Sequence, residues 1–205
     1  RHQCPHNPRS VRSGDLGSIE VADRADALPL SYAQQRLWFI DRLEDGSNHY
    51  NMPGQFVLKG SFKKRAFKRA LQALLERHEV LRTLFREVDG VAMQSIQESF
   101  KLPLEVHDLS GLEAEARDRA LKELLAEHRA YVFDLSQELP IRFQLVKLGA
   151  REHLILHTMH HIASDGWSMQ LLVKEFFALF GAYSRGQANP LPELDIQYAD
   201  YAHWQ

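Results

Sequence analysis

The sequence predicts a layered α/β or α+β sandwich, and three observations carry that prediction. Short apolar runs of strand length alternate with amphipathic helical stretches along the chain. Asp89-Gly90 separates two strand-like runs, the standard signal for an antiparallel hairpin. The stretch 167–183 places Met169, Leu172, Val173, Phe176, Phe177 and Phe180 at i, i+3, i+4, i+7, i+8 and i+11, one face of a helix.

The elements follow in order. Residues 1–27 hold two prolines, two glycines and scattered charge without apolar periodicity, and are expected to be a linker or an appended segment, at most partly ordered. Ser31 is placed to cap a helix from about Tyr32 to Leu43, which Asp45-Gly46-Ser47-Asn48 breaks. Gln55 to Leu58 reads as a short strand. Residues 62–77 form a helix with Phe67, Leu71, Leu74 and Leu75 on one face. The hairpin joins Leu81–Val88 to Val91–Ile96, and Leu104–Asp108 is a further strand. Residues 112–130 form a charged helix striped by Leu121, Leu124, Leu125 and His128. Strands Ile141–Leu148 and His153–Met159 meet through Gly149, the helix 167–183 follows, and Asp195 opens a last short helix.

Composition narrows the function. Of 205 residues, 44% are hydrophobic and 25% charged, the balance of a globular domain. The formal net charge of −2 argues against nucleic-acid or membrane-surface binding, which needs a net basic field. Lys63, Lys64, Arg65, Lys68 and Arg69 therefore read as the solvated face of a helix. The single cysteine, Cys4, excludes an internal disulfide framework and multi-cysteine metal sites. No apolar run reaches membrane-spanning length and no secretory leader is evident, so the expected compartment is the cytoplasm. A chain opening on Arg rather than Met is read as processed or excised. His153, His157 and His161 lack a carboxylate or cysteine spaced to complete a zinc site, so no metal is expected. No glycine-rich phosphate loop is present.

The chemistry concentrates in Met159-His160-His161-Ile162-Ala163-Ser164-Asp165-Gly166-Trp167-Ser168, between a strand and the start of the strongest helix. Adjacent residues leaving a strand point in opposite directions, so one histidine can face a cleft while the other braces the loop. A neutral imidazole is the usual base for a nucleophile that must lose a proton. Asp165 can cap the free N–H groups of the helix, and Gly166 lets backbone approach a ligand closely. From the residues alone, two ordinary histidines beside an Asp-Gly helix cap describe the segment equally well.

The segment matches the HHxxxDG signature of condensation domains of non-ribosomal peptide synthetases, relatives of chloramphenicol acetyltransferase. Three further stretches resemble motifs of that family. Leu30-Ser31-Tyr32-Ala33-Gln34-Gln35-Arg36-Leu37-Trp38-Phe39 is similar to the first, followed by Tyr50-Asn51-Met52-Pro53. Arg77-His78-Glu79-Val80-Leu81-Arg82-Thr83-Leu84-Phe85 is similar to the second, and Tyr198-Ala199-Asp200-Tyr201-Ala202-His203-Trp204-Gln205 to the fourth.

The resemblance implies a chloramphenicol acetyltransferase-like α/β sandwich, a mixed sheet with flanking helices, of which residues 28–205 form a single N-terminal lobe. Family members place the motif on the floor of a tunnel between two lobes. Two peptidyl carrier proteins, upstream and downstream, deliver substrates there as thioesters on 4'-phosphopantetheine. The family's catalytic histidine corresponds to His161. His160, Asp165 and Gly166 are then structural, with Arg82 and Arg142 as candidate ion partners of Asp165, and Trp167 and Ser168 as candidate substrate contacts. The second lobe and an adenylation domain of the same synthetase are the other implied partners. A carrier-docking module without catalysis and a stand-alone coenzyme A acyltransferase remain the alternatives.

Overall fold

The computed structural model describes residues 10–12, 18–20, 27–164, 169–194 and 197. Within the stretch expected to be a linker, β1 (Ser10–Arg12) pairs antiparallel with β2 (Ser18–Glu20). Strand β3 (Leu28–Pro29) leads into α1 (Tyr32–Leu43), the bounds that the capping residue predicts. Ser31 Oγ accepts from the Gln34 N–H at 3.1 Å while Gln34 Oε1 accepts from the Ser31 N–H at 3.0 Å, a reciprocal capping box. Positive φ at Asp45 (53°) and Gly46 (83°) stops the helix.

Strand β4 (Asn51–Lys59) is longer than the four residues expected from the apolar run. All nine of its residues pair with β9 (Glu152–His160). Pro53 does not interrupt it because β4 lies at a sheet edge, where an N–H on the outer side is not needed. Helix α2 (Lys64–Arg77) buries Phe67, Leu71, Leu74 and Leu75, the predicted face. A 3-10 turn (Glu79–Arg82) replaces the expected start of the next strand, leaving β5 (Thr83–Val88) and β6 (Val91–Ile96). Positive φ at both Asp89 (52°) and Gly90 (79°) gives the tight hairpin its right-handed twist.

Strand β7 (Leu104–Asp108) precedes α3 (Ala114–Ala130), β8 (Ile141–Gly149) and β9, and α4 spans Met169–Ser184. The main sheet has the order β4-β9-β8-β7, with β7–β8 parallel and the other pairs antiparallel, and β3-β6-β5 form a second, antiparallel sheet. This is the mixed α/β sandwich that the sequence predicts. Alternation along β8 and β9 divides the core. Phe143, Leu145, Ile155 and Met159 meet α2 and α4, while Val146, Leu154 and Leu156 meet the Leu121, Leu124 and Leu125 stripe of α3.

Arg77 and His78 dock α2 onto α4 through the buried Glu175. Arg77 Nε donates to Oε1 at 3.2 Å, and His78 Nε2 lies 2.5 Å from Oε2. Burial holds the His78 imidazole below its ordinary value, opposed by Glu175, so a neutral imidazole donates while Arg77 supplies the charge. Lys64, Arg65, Lys68 and Arg69 of α2 are exposed, as expected of a solvated face. Two basic residues here serve α4: Lys63 Nζ donates to the Ser184 carbonyl at its C-terminal end, and Arg69 lies 4.3 Å over the Tyr183 ring. The helix expected from Asp195 lies outside the described residues, and so does Cys4. Among the described residues, no helix is long and apolar enough to cross a membrane.

Candidate active site

Strand β9 carries the two histidines to its end, and the backbone is tied there on both sides. The His160 N–H donates to the Pro140 carbonyl at 2.8 Å, and the His161 N–H donates to the Tyr50 carbonyl at 2.7 Å. A 3-10 turn, His161–Ala163, follows at once. Ile162 is buried among Leu30, Phe85 and Phe133, and Ala163 in the core beneath α2 and α4. Two buried neighbours thus pin a turn whose first residue, His161, is exposed.

The two imidazoles occupy opposite environments. His160 is fully buried, edge-on to Phe133 at 6.3 Å. Its Nδ1 accepts from the Ile162 N–H at 3.0 Å, so the ring proton of the neutral form sits on Nε2. That nitrogen faces Asp41 Oδ1 at 3.7 Å, beyond hydrogen-bond length. His161 has Ser164 Oγ 2.5 Å from its Nδ1, and the same Oγ lies 3.0 Å from the His161 carbonyl oxygen. Ser164 is itself buried.

Helix α1 braces this turn. Gln34, fully buried, donates through Nε2 to the Ile162 carbonyl at 3.4 Å while its Oε1 closes the capping box. Asp41 lies two turns further along the same helix face and meets His160. Leu37 and Trp38, between them, pack in the cluster around Ile162. The sequence pattern points to packing through Leu37 and Trp38 and gives Gln34 and Asp41 no role. A signal for Gln34 lies in Ser31-x-x-Gln34, a capping-box spacing that fixes where its side chain starts.

The remaining residues that the sequence singles out are placed as follows. Arg82 is committed to backbone carbonyls: Gln97 at 2.9 Å, Leu75 at 3.1 Å and Glu76 at 3.4 Å. Arg142, on β8, reaches Glu105 at 3.2 Å and Glu127 at 3.8 Å, and its guanidinium lies 4.0 Å over the Tyr131 ring. Desolvation and the hydrogen bond to Glu138 push the Tyr131 phenol up to about 12. Asp165, Gly166, Trp167 and Ser168 lie outside the described residues.

The other histidines of the strand go into apolar surroundings. His153 stacks on Phe62 at 4.2 Å, and burial lowers its imidazole. His157 lies over Gly54, where an added Cβ would fall 2.3 Å from the ring. Burial, with a smaller contribution from His128, pushes His157 down to about 4, so it stays neutral near pH 7. His128 is lowered by burial as well. An exposed imidazole rigidly seated on a buried turn, as at His161, is equipped to accept a proton from a nucleophile.

Comparison with known proteins adds the lineage. The family model described as "Condensation domain" matches residues 24–205. One of the linear gramicidin synthase proteins of Brevibacillus parabrevis is 46% identical over 182 residues, covering 89% of this chain and 4% of that protein. Chondramide synthase of Chondromyces crocatus is 40% identical over 181 residues, 88% of this chain and 5% of that one. Among solved structures, the X-domain from teicoplanin biosynthesis matches with a TM-score of 0.76 and 29% identity, over 91% of this chain and 39% of that chain. The starter condensation domain of rhizomide synthetase matches with a TM-score of 0.74 and 21% identity, over 87% and 43%. The chain thus spans well under half of each solved chain and a few per cent of each synthetase. With the His160-His161 pair at the end of a central strand and a family match over most of its length, the chain belongs to the condensation-domain family of non-ribosomal peptide synthetases.

Proposed function

We propose that this chain is the N-terminal lobe of a condensation domain and that His161 manages the amine in amide-bond formation. The observation that carries the reading is the division of labour in the histidine pair: His160 is buried and braces the turn, while His161 is exposed at its tip. In the reaction, the acceptor α-amine nitrogen attacks the carbonyl carbon of the donor thioester. The N–C bond forms, the C–S bond breaks, the amine gives up a proton towards His161 and the departing thiolate ends as a thiol. Donor and acceptor arrive on the phosphopantetheine arms of upstream and downstream carrier proteins. Asp165 holds the loop by capping and ion pairing, and Trp167 and Ser168 contact substrate.

The lobe alone is inactive in this reading, because condensation needs both thioesters oriented in one enclosed channel. The exposure of His161 supports this, since its ring meets solvent on one side. The deciding assay uses the two-lobe enzyme with loaded carriers. His161→Ala should abolish or severely reduce the amide product, and His160→Ala should act mainly by lowering the melting temperature. Full activity of His161→Ala would overturn the assignment, and product from the 205-residue chain at the rate of the two-lobe enzyme would overturn the requirement for a second lobe.

A docking module without catalysis is supported by a different observation. Phe39 and Leu43, one turn apart on α1, are 60% and 72% exposed, an apolar patch of the kind a carrier protein would cover. Carrier binding by the native two-lobe protein without any amide product would favour this reading.

A further inference from the structure

We propose that Ser164 is a positioning residue that fixes the tautomer of His161, so that Nε2 is the nitrogen offered to substrate. The inference deepens the reading of His161 as the group that manages the amine, and rests on it. It follows from counting protons. Ser164 Oγ contacts two groups at once, His161 Nδ1 at 2.5 Å and the His161 carbonyl oxygen at 3.0 Å. A carbonyl oxygen has no proton to give, so the second contact is a hydrogen bond only if the serine hydroxyl donates to it. The hydroxyl has one proton. Having given it to the carbonyl, Oγ can only accept from the ring, and the proton between Oγ and the ring must sit on Nδ1. The relay runs Nδ1–H to Oγ, then Oγ–H to the carbonyl of the same histidine. The opposite assignment sets two oxygen lone-pair regions against each other at 3.0 Å with no proton between them.

The surroundings make this arrangement persistent. Ser164 is buried at the end of the 3-10 turn, with φ −101° and ψ −5°. Its own N–H also donates to the His161 carbonyl at 3.0 Å, which uses that oxygen's second lone pair. Ile162 and Ala163, both buried, anchor the middle of the turn between His161 and Ser164. Among the described residues, Ser164 is the hydrogen-bond partner of the His161 ring. The Nδ1 edge is therefore clamped inward, and the Nε2 edge carries the free lone pair.

The consequence is chemical. A free imidazole side chain favours the Nε2–H form, which would present a donor where a base is needed. With Nδ1–H fixed, Nε2 accepts the amine proton without prior rearrangement. The imidazolium that forms then has its Nδ1–H already aimed at an oxygen, and that bond strengthens as the ring becomes charged.

The test reads the tautomer directly. The 205-residue chain is labelled with 15N-histidine and studied by long-range 1H–15N correlation at about pH 8.5, two units above the ordinary imidazole value. The His161 signals are assigned by their loss in His161→Gln. In the native chain, Nδ1 should be the protonated, pyrrole-type nitrogen and Nε2 the pyridine-type one. Ser164→Ala should invert the two, and Ser164→Thr, which keeps the hydroxyl, should restore the native pattern. In the two-lobe enzyme the same Ala variant should lose about tenfold in kcat/KM, a fraction of what general-base catalysis supplies, with recovery in Thr. A pyrrole-type Nε2 in the native chain, or a Ser164→Ala spectrum with the native pattern, would overturn the proposal. Failure of the underlying reading is distinct: an unimpaired His161→Ala enzyme removes the reaction from His161 whatever the tautomer is.

Discussion

The contacts of the main sheet with α2 and α4 and the contacts of α1 with the end of β9 are built from different chemistry. Beneath α2 and α4 the buried side chains are almost all apolar, with Phe67 meeting Phe62, Phe176 and Phe180 at ring distances of 5.5 to 6.0 Å. At the α1 corner, Ser31, Gln34, Asp41 and His160 are all buried. Hydrogen bonds join Ser31 to Gln34, Gln34 to the Ile162 carbonyl and His160 to the Ile162 N–H, and Asp41 faces His160 at 3.7 Å. Apolar burial is strong but non-directional, so it fixes that the elements come together more firmly than where. Buried hydrogen bonds contribute little net free energy and specify one geometry. The first region supplies stability, and the second supplies the placement of the histidine turn.

The comparison can be broken first at Phe67. Phe67→Ala should cost about 3–5 kcal/mol, because the ring is fully buried and its cavity cannot collapse against a sheet. The urea midpoint should drop accordingly, and a loss below about 1 kcal/mol would place the stabilising core elsewhere. Gly54→Ala comes next. An alanine Cβ would press into the His157 ring, and forced overpacking of this kind costs about 1–3 kcal/mol. In a His157→Ala background the same change should be nearly neutral, so a double-mutant cycle measures the contact itself.

Gln34→Ala should cost less, about 1–2 kcal/mol, by leaving the Ser31 N–H and the Ile162 carbonyl without this contact. Its signature is spatial. Amide shifts of residues 160–164 should move while those of α2 and α4 stay, and uniform changes across both regions would erase the proposed division.

The last expected effect is a pH slope. Burial lowers His157 to about 4, and His78, His128 and His153 are lowered in the same sense. Between the unfolded value near 6.5 and the folded value, the unfolded chain binds more protons. Stability is thus fully present above that window and falls as pH drops through it. The melting temperature should decline from about pH 6.5 towards pH 4, and His157→Gln should make that decline shallower even if it lowers the starting value. An unchanged slope would mean that His157 is not buried as a neutral ring.

Much of this is legible in the sequence, for reasons that differ by element. Ser31 and Asp89-Gly90 act locally, through a cap and a turn, so their consequences are written within a few residues. The core faces of α2 and α3 are legible as periodicity. The full length of β4 is not, because Asn51 to Gly54 carries no apolar alternation and is held straight by pairing to β9. Gln34 and Asp41 read as solvent-facing polar residues because their partners, Ile162 and His160, are remote in sequence. The His160-His161 pair announces itself by residue type, whereas Ser164 does not. A serine three residues after a histidine acquires meaning only when a 3-10 turn folds it back onto the ring.

The span between Gln34 and Ile162 also governs how the chain reaches its native state. The two residues are 128 positions apart, and every rung of the β4–β9 ladder closes a comparably long loop. Such closures cost chain entropy before any contact repays it, which places this corner among the slow steps of folding. At translation rates of about 5–20 residues per second, roughly 6 to 25 s separate synthesis of Gln34 from that of Ile162. Throughout that interval α1 has no turn to brace and β4 has no partner for its inner edge. The hairpin β5–β6 can form early, but the surface that carries His161 can assemble only after strand β9 has left the ribosome.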